Sequence, residues 1–199
     1  YIPPPVGLAK VRREWHTGLM TEPDSRAAAA NPVLVERTRG EAVESVHRGA
    51  FAVVDSAGVL RQSGGDVAAP IFPRSAVKPL QALVMLESGA AERFAISEPE
   101  IALACASHGA TPAHVGVVAA WLGRMGLGPD DLGCGAAAPM DDAAAVALER
   151  AGEAPGRLHN NCSGKHSGFL AAALHLGAPI DSYLQPDHPV QQRVAGVLA

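Results

Sequence analysis

The segment Phe72-Pro73-Arg74-Ser75-Ala76-Val77-Lys78-Pro79-Leu80-Gln81 holds a serine and a lysine three residues apart. Pro73 confines its predecessor to extended geometry, which favours a helix that opens just after it. In a helix beginning near Ser75, Ser75 and Lys78 share one face and can meet. A serine hydroxyl is a weak nucleophile without a base beside it. A lysine serves as that base only as a neutral amine, a state that burial or a nearby positive charge favours. Arg74 is the candidate for that charge. S-x-x-K by itself is a common coincidence.

The lysine count strengthens the reading. Of sixteen Lys plus Arg, only Lys10, Lys78 and Lys165 are lysine, and thirteen are arginine. Arginine does not give up its proton, so the two lysines in the body of the chain read as sites that need a compact or titratable amine. The plain alternative is two surface lysines spared by chance.

Two neighbouring segments carry more chemistry. Cys105-Ala106-Ser107-His108-Gly109 ends an expected helix, and Ser107 and His108 can either support the S-x-x-K site or merely cap the helix end. A Ser/His/Asp triad is the rival, but no G-x-S-x-G elbow is present. His159-Asn160-Asn161-Cys162-Ser163-Gly164-Lys165-His166 is the densest polar stretch. Cys162, Lys165 and His166 stand at i, i+3 and i+4, one helical face. Such a face can offer Cys162 and His166 to zinc with His159 as a third ligand, or can be a solvent-facing helix start. Cys134 reads as a buried small residue.

The elements follow from pattern. Val33 to Thr38 alternates like an edge strand. Val43 to Val54 reads as one strand with a break at Gly49, and Asp55-Ser56-Ala57-Gly58 turns it into a return strand from Val59 to Gln62. The helix from Ser75 to Gly89 should bury Val77, Leu80, Leu83 and Val84. Ser97-Glu98-Pro99-Glu100 matches a capping box. Further helices should start at Thr111-Pro112, Asp141-Asp142, Gly164 and Asp187-His188-Pro189. Residues 1–30 have no clear period and read as an N-terminal extension, with the ordered domain from residue 31 to 199.

Composition narrows the class. The 199 residues are 48% hydrophobic and 4% aromatic, with net charge −4 and a pI near 6.1. That balance disfavours nucleic-acid binding. No apolar run of eighteen residues exists, so no membrane span is expected. An odd cysteine count and the lack of a secretory leader pattern point to a reducing, cytoplasmic setting.

Read together, the segments resemble the asparaginase II family of L-asparaginases. The matches are N-P-V-L-V-E from Asn31, V-E-S-V-H-R-G from Val43, P-R-S-A-V-K-P-L-Q from Pro73, C-A-S-H-G from Cys105 and H-N-N-C-S-G-K-H-S-G from His159. The resemblance implies an α+β fold like that of serine β-lactamases and glutaminases, an antiparallel sheet flanked by helices. It implies hydrolysis of L-asparagine with Ser75 as nucleophile, Lys78 as its base and Ser107 as a second active-site serine. Arg74 and His108 become substrate-binding residues, and Cys162 and Lys165 become ligands of a Zn2+ ion. A homodimer is implied as well. The family's second zinc-binding cysteine and a further active-site lysine fall beyond Ala199, so the chain reads as the N-terminal portion of one such domain, with the C-terminal part missing. A glutaminase, another S-x-x-K acyl transferase and a non-catalytic zinc-binding fragment are the alternatives.

Overall fold

The structure, a computed structural model, describes residues 31–199. The expected N-terminal extension lies outside the described residues. The described chain divides into two compact units, residues 31–72 and 73–199.

The first unit is built from two antiparallel ladders. Strand β1 (Val33–Arg39) pairs with β2 (Ala42–Arg48), and β3 (Phe51–Val54) pairs with β4 (Leu60–Gly64). The expected long strand from Val43 to Val54 is therefore two strands. Gly49, between the two strands, donates its N–H to the Pro32 carbonyl at 3.2 Å, at the end of the β1–β2 pairing. A Cβ there would stand 2.9 Å from Leu34 Cδ1, so the bare backbone lets Leu34 cross the break. The turn after β3 is held by Asp55 Oδ1, which accepts from the N–H groups of Ala57 and Val59 at 2.9 Å each, an Asx turn of the kind that aspartate favours. Asn31 Oδ1 accepts from Asp66 N at 2.9 Å and ties the two ends of the unit together.

The second unit is helical. A 3-10 turn, Arg74–Val77, leads into α1 (Lys78–Glu87), followed by the short α2 (Ala90–Arg93). Then come α3 (Glu98–Cys105), α4 (Pro112–Arg124), α5 (Asp142–Arg150), α6 (Ser163–Leu176) and α7 (Pro189–Leu198). The start signals act as their chemistry requires. Glu100 reaches back to accept from Ser97 N at 2.8 Å, Asp141 Oδ1 accepts from Ala144 N at 2.8 Å, and His188 Nδ1 accepts from Val190 N at 3.2 Å. Each satisfies an N–H group that a helix start leaves without a partner.

Helix α6 runs through the middle of the core. It is buried at Ser163 and Gly164, and then without a break from His166 to Ala173. Val118, Trp121 and Leu122 of α4 and Val84 and Met85 of α1 pack in the same interior. Helices α6 and α3 meet closely at Gly164, where a Cβ would stand 2.5 Å from the Leu103 carbonyl oxygen of α3. One expectation needs correcting here. Leu80 is exposed, and Lys78, Ala82, Val84 and Met85 are the residues that α1 buries. The tighter 3-10 turn before Lys78 advances the phase, because it takes three residues per turn and not 3.6.

Together the two units make an α+β chain whose described strands pair antiparallel. No described helix is long and apolar enough to cross a membrane.

Candidate active site

Arg74, Ser75, Lys78, Gln81, Cys162 and Lys165 line one cleft of about 330 Å³. The first four come from the 3-10 turn and the start of α1, and the last two from the start of α6. The cleft thus unites the S-x-x-K segment with the Cys162–Lys165 face, far away in sequence. Backbone strain sits beside the serine. Arg74 has φ +48°, a left-handed conformation that a residue with a Cβ adopts at a cost of roughly 1–2 kcal/mol. That geometry turns the chain sharply between Pro73 and the helix.

Lys78 is 3% exposed. Its Nζ donates to the Ala106 carbonyl at 2.9 Å, to the Asn161 carbonyl at 3.4 Å and to Ser107 Oγ at 2.8 Å. The hydroxyl that the amine reaches is therefore Ser107, while Ser75 lines the same cleft with its Oγ unpartnered among the described residues. Two carbonyls from different elements fix the nitrogen, and the remaining corner faces a serine.

His108 is placed differently from the other residues singled out in the sequence. It is 4% exposed, and both ring nitrogens are engaged. Nδ1 accepts from Ala110 N at 3.1 Å, and Nε2 lies 2.8 Å from Ser163 Oγ, which itself donates to the Leu158 carbonyl at 3.1 Å. Nε2 therefore carries the proton and donates to Ser163. The backbone N–H of His108 donates to Asn161 O at 3.2 Å. The ring is a strut between the end of α3 and the start of α6. Burial, followed by the charges of His114 and Lys78, pushes its pKa down to about 4, so it is held neutral.

The segment before α6 is laced to the Cys134 loop. Asn160 Nδ2 donates to Gly135 O at 2.8 Å, and Asn160 Oδ1 accepts from Cys162 N at 2.9 Å. Cys134 is buried, with its thiol directed at Arg157 O at 3.7 Å, and burial pushes its pKa up. Tyr183 Oη accepts from Gly133 N and lies within hydrogen-bond distance, 2.7 Å, of His166 Nδ1. Burial holds the Tyr183 phenol at about 12 and the His166 ring at about 3. Sequence reading assigns Tyr183 no role, and its only sequence sign is an isolated aromatic in a chain with few.

The ligand set of Cys162, His166 and His159 does not assemble. His166 is turned into the core against Tyr183, and His159 Nδ1 accepts from Gly156 N at 2.9 Å. No cluster of three His, Cys, Asp or Glu side chains forms among the described residues. Cys162 and Lys165 do share the cleft. They bring a thiol and an amine, and burial draws the Lys165 ammonium below its ordinary range, toward the neutral form that can donate a lone pair. Those two side chains suit part of a zinc shell.

A family model described as L-asparaginase II matches residues 35–199. No curated protein matches the chain.

Proposed function

The chain belongs to the L-asparaginase II family, and from that premise we propose that it hydrolyses L-asparagine to aspartate and ammonia with Ser75 as nucleophile. The observation that carries this reading is the single cleft that holds Ser75, Lys78, Cys162 and Lys165 together. The buried amine of Lys78, in its unprotonated form, keeps its two N–H bonds for the Ala106 and Asn161 carbonyls and turns its lone pair to Ser107. Ser107 passes its hydroxyl proton to that amine and takes the proton of Ser75, so that Lys78 is the base and Ser107 the relay. Ser75 Oγ attacks the side-chain amide carbon. The oxyanion needs N–H donors, each worth roughly 3–4 kcal/mol in a comparable site. The proton returns to the leaving nitrogen and ammonia departs. Water then attacks the acyl-enzyme and releases aspartate.

Arg74 supplies a guanidinium for the substrate carboxylate, which it can meet with two parallel hydrogen bonds. His108 acts through Ser163 and holds the start of α6 in place. A zinc ion held by Cys162 and Lys165 would supply a fixed positive charge that orients the substrate. The fold expected for this reading is that of the serine β-lactamases, and the S-x-x-K pair at the head of a helix supports it. A homodimer in the cytoplasm belongs to the same proposal.

The test is ammonia release from L-asparagine, L-glutamine and a blank, by this protein and its Ser75→Ala variant. Release from asparagine that Ser75→Ala abolishes is expected. Full release by Ser75→Ala would end the proposal. Discrimination against glutamine should be modest, since one methylene is worth only about 1–3 kcal/mol.

A further inference from the structure

The basic side chains that line the cleft are Arg74, Lys78 and Lys165, with no aspartate or glutamate among the lining residues. An amino-acid amide brings a carboxylate and an ammonium. The carboxylate finds donors at once. The ammonium faces three basic groups and needs an acceptor, since a charge taken out of water without one is costly.

Few lining groups can accept. Ser75 Oγ is spent on the attack, the Lys78 lone pair on the proton it receives, and the Lys165 lone pair on the zinc ion of the same proposal. The Cys162 sulfur is a weak acceptor, and its thiol already points to Asn161 Oδ1 at 3.2 Å. Gln81 remains. It follows Lys78 by three residues on α1, which keeps it on the face that carries the amine. It is half-buried, and its carboxamide has no hydrogen-bond partner among the described residues. An unpaired carboxamide in a cleft of basic groups offers one strong, uncharged acceptor oxygen.

We propose that Gln81 is a specificity residue whose carboxamide oxygen receives the α-ammonium of the substrate, so that the cleft selects α-amino acid amides over the same amides without the amino group. The assignment rests on the hydrolase reading above. It goes beyond it in naming which substrate group is read and by which side chain.

The experiment compares L-asparagine with succinamic acid, the same molecule without its α-amino group. Binding of each is measured by calorimetry, alongside ammonia release, for the unaltered protein, Gln81→Met and Gln81→Glu. The unaltered protein should bind asparagine about tenfold more tightly, the effect of one hydrogen bond to a charged group. Gln81→Met should lose that preference by weakening asparagine alone. Gln81→Glu keeps an acceptor oxygen and should keep the preference, which also serves if the methionine variant does not fold. Equal weakening of both ligands by Gln81→Met, or an unchanged preference, would overturn the assignment. If asparagine binds but no ammonia appears, the hydrolase reading fails while the binding ratio still judges Gln81. If neither ligand binds the unaltered protein, both readings fall.

Discussion

Lys78 Nζ and Ser107 Oγ lie 2.8 Å apart, although 29 positions separate them in the chain. The contact joins α1 to the segment after α3 and gives the amine a hydroxyl other than that of its own S-x-x-K motif. Ser107→Ala should therefore slow ammonia release by about 10²-fold, the lower range for a group that moves a proton. Lys78→Met should remove activity more completely. Lys78→Arg should not restore it, because a guanidinium stays protonated and its planar fork does not fit a site shaped around a tetrahedral nitrogen. Initial rates with asparagine would check the order.

His108 gives a pH prediction. Its pKa falls from 6.5 unfolded to about 4 folded. Between those values the unfolded chain binds the extra proton, so stability rises with pH. The contribution is fully present above pH 6.5 and is lost as the pH falls toward 4. The limiting slope is about 1.4 kcal/mol per pH unit. Urea unfolding of the unaltered protein and of His108→Gln across that window should yield a shallower pH dependence for the variant. Parallel curves would contradict the buried, neutral ring.

Arg74 invites an exchange of stability for activity. Glycine adopts φ +48° freely, so Arg74→Gly should relieve strain of roughly 1 kcal/mol, partly offset by the looser unfolded chain. The melting temperature should hold or rise slightly. Binding of asparagine should weaken, because the guanidinium lining the cleft is gone. A fall in stability together with unchanged binding would show that the arginine serves the fold and not the substrate.

Metal content can be read without activity. If Cys162 and Lys165 hold zinc, then Cys162→Ser and Lys165→Met should each lower the zinc bound per chain after dialysis, measured by atomic emission. Cys105→Ser should leave it unchanged, since Cys105 is not among the cleft residues. Equal zinc in all variants would remove the metal from the proposal.

The starts of the helices are legible in the sequence because each depends on residues within one turn. Ser97 with Glu100, Asp141 and His188 satisfy nearby N–H groups, and such local geometry leaves a pattern in the sequence. The split at Gly49 is visible as a break but not as two ladders, since strand pairing depends on partners elsewhere in the chain. The phase of α1 is not legible, because a 3-10 turn and an α-helical turn look alike in a string of residues. Within the site, the motifs point to Ser75, Lys78, Cys162 and Lys165, and the structure brings these four into one cleft. The partner of the Lys78 amine and the strut formed by His108 stay hidden. Both rest on carbonyls or hydroxyls brought from other elements, which sequence spacing does not encode. Tyr183 escapes notice for the same reason, since its partners Gly133 and His166 lie 50 and 17 positions away.

Gly164 lies against the Leu103 carbonyl with no room for a methyl group. Its position in the sequence, directly before Lys165, makes it a gauge of the spacing between α3, which Ser107 follows, and α6, which carries Lys165 into the cleft. Any descendant of this chain that acquires a side chain there must push α3 and α6 apart, and with them the serine after one helix and the amine on the other. The distance between α3 and α6 is thus inherited through a residue that has no side chain of its own.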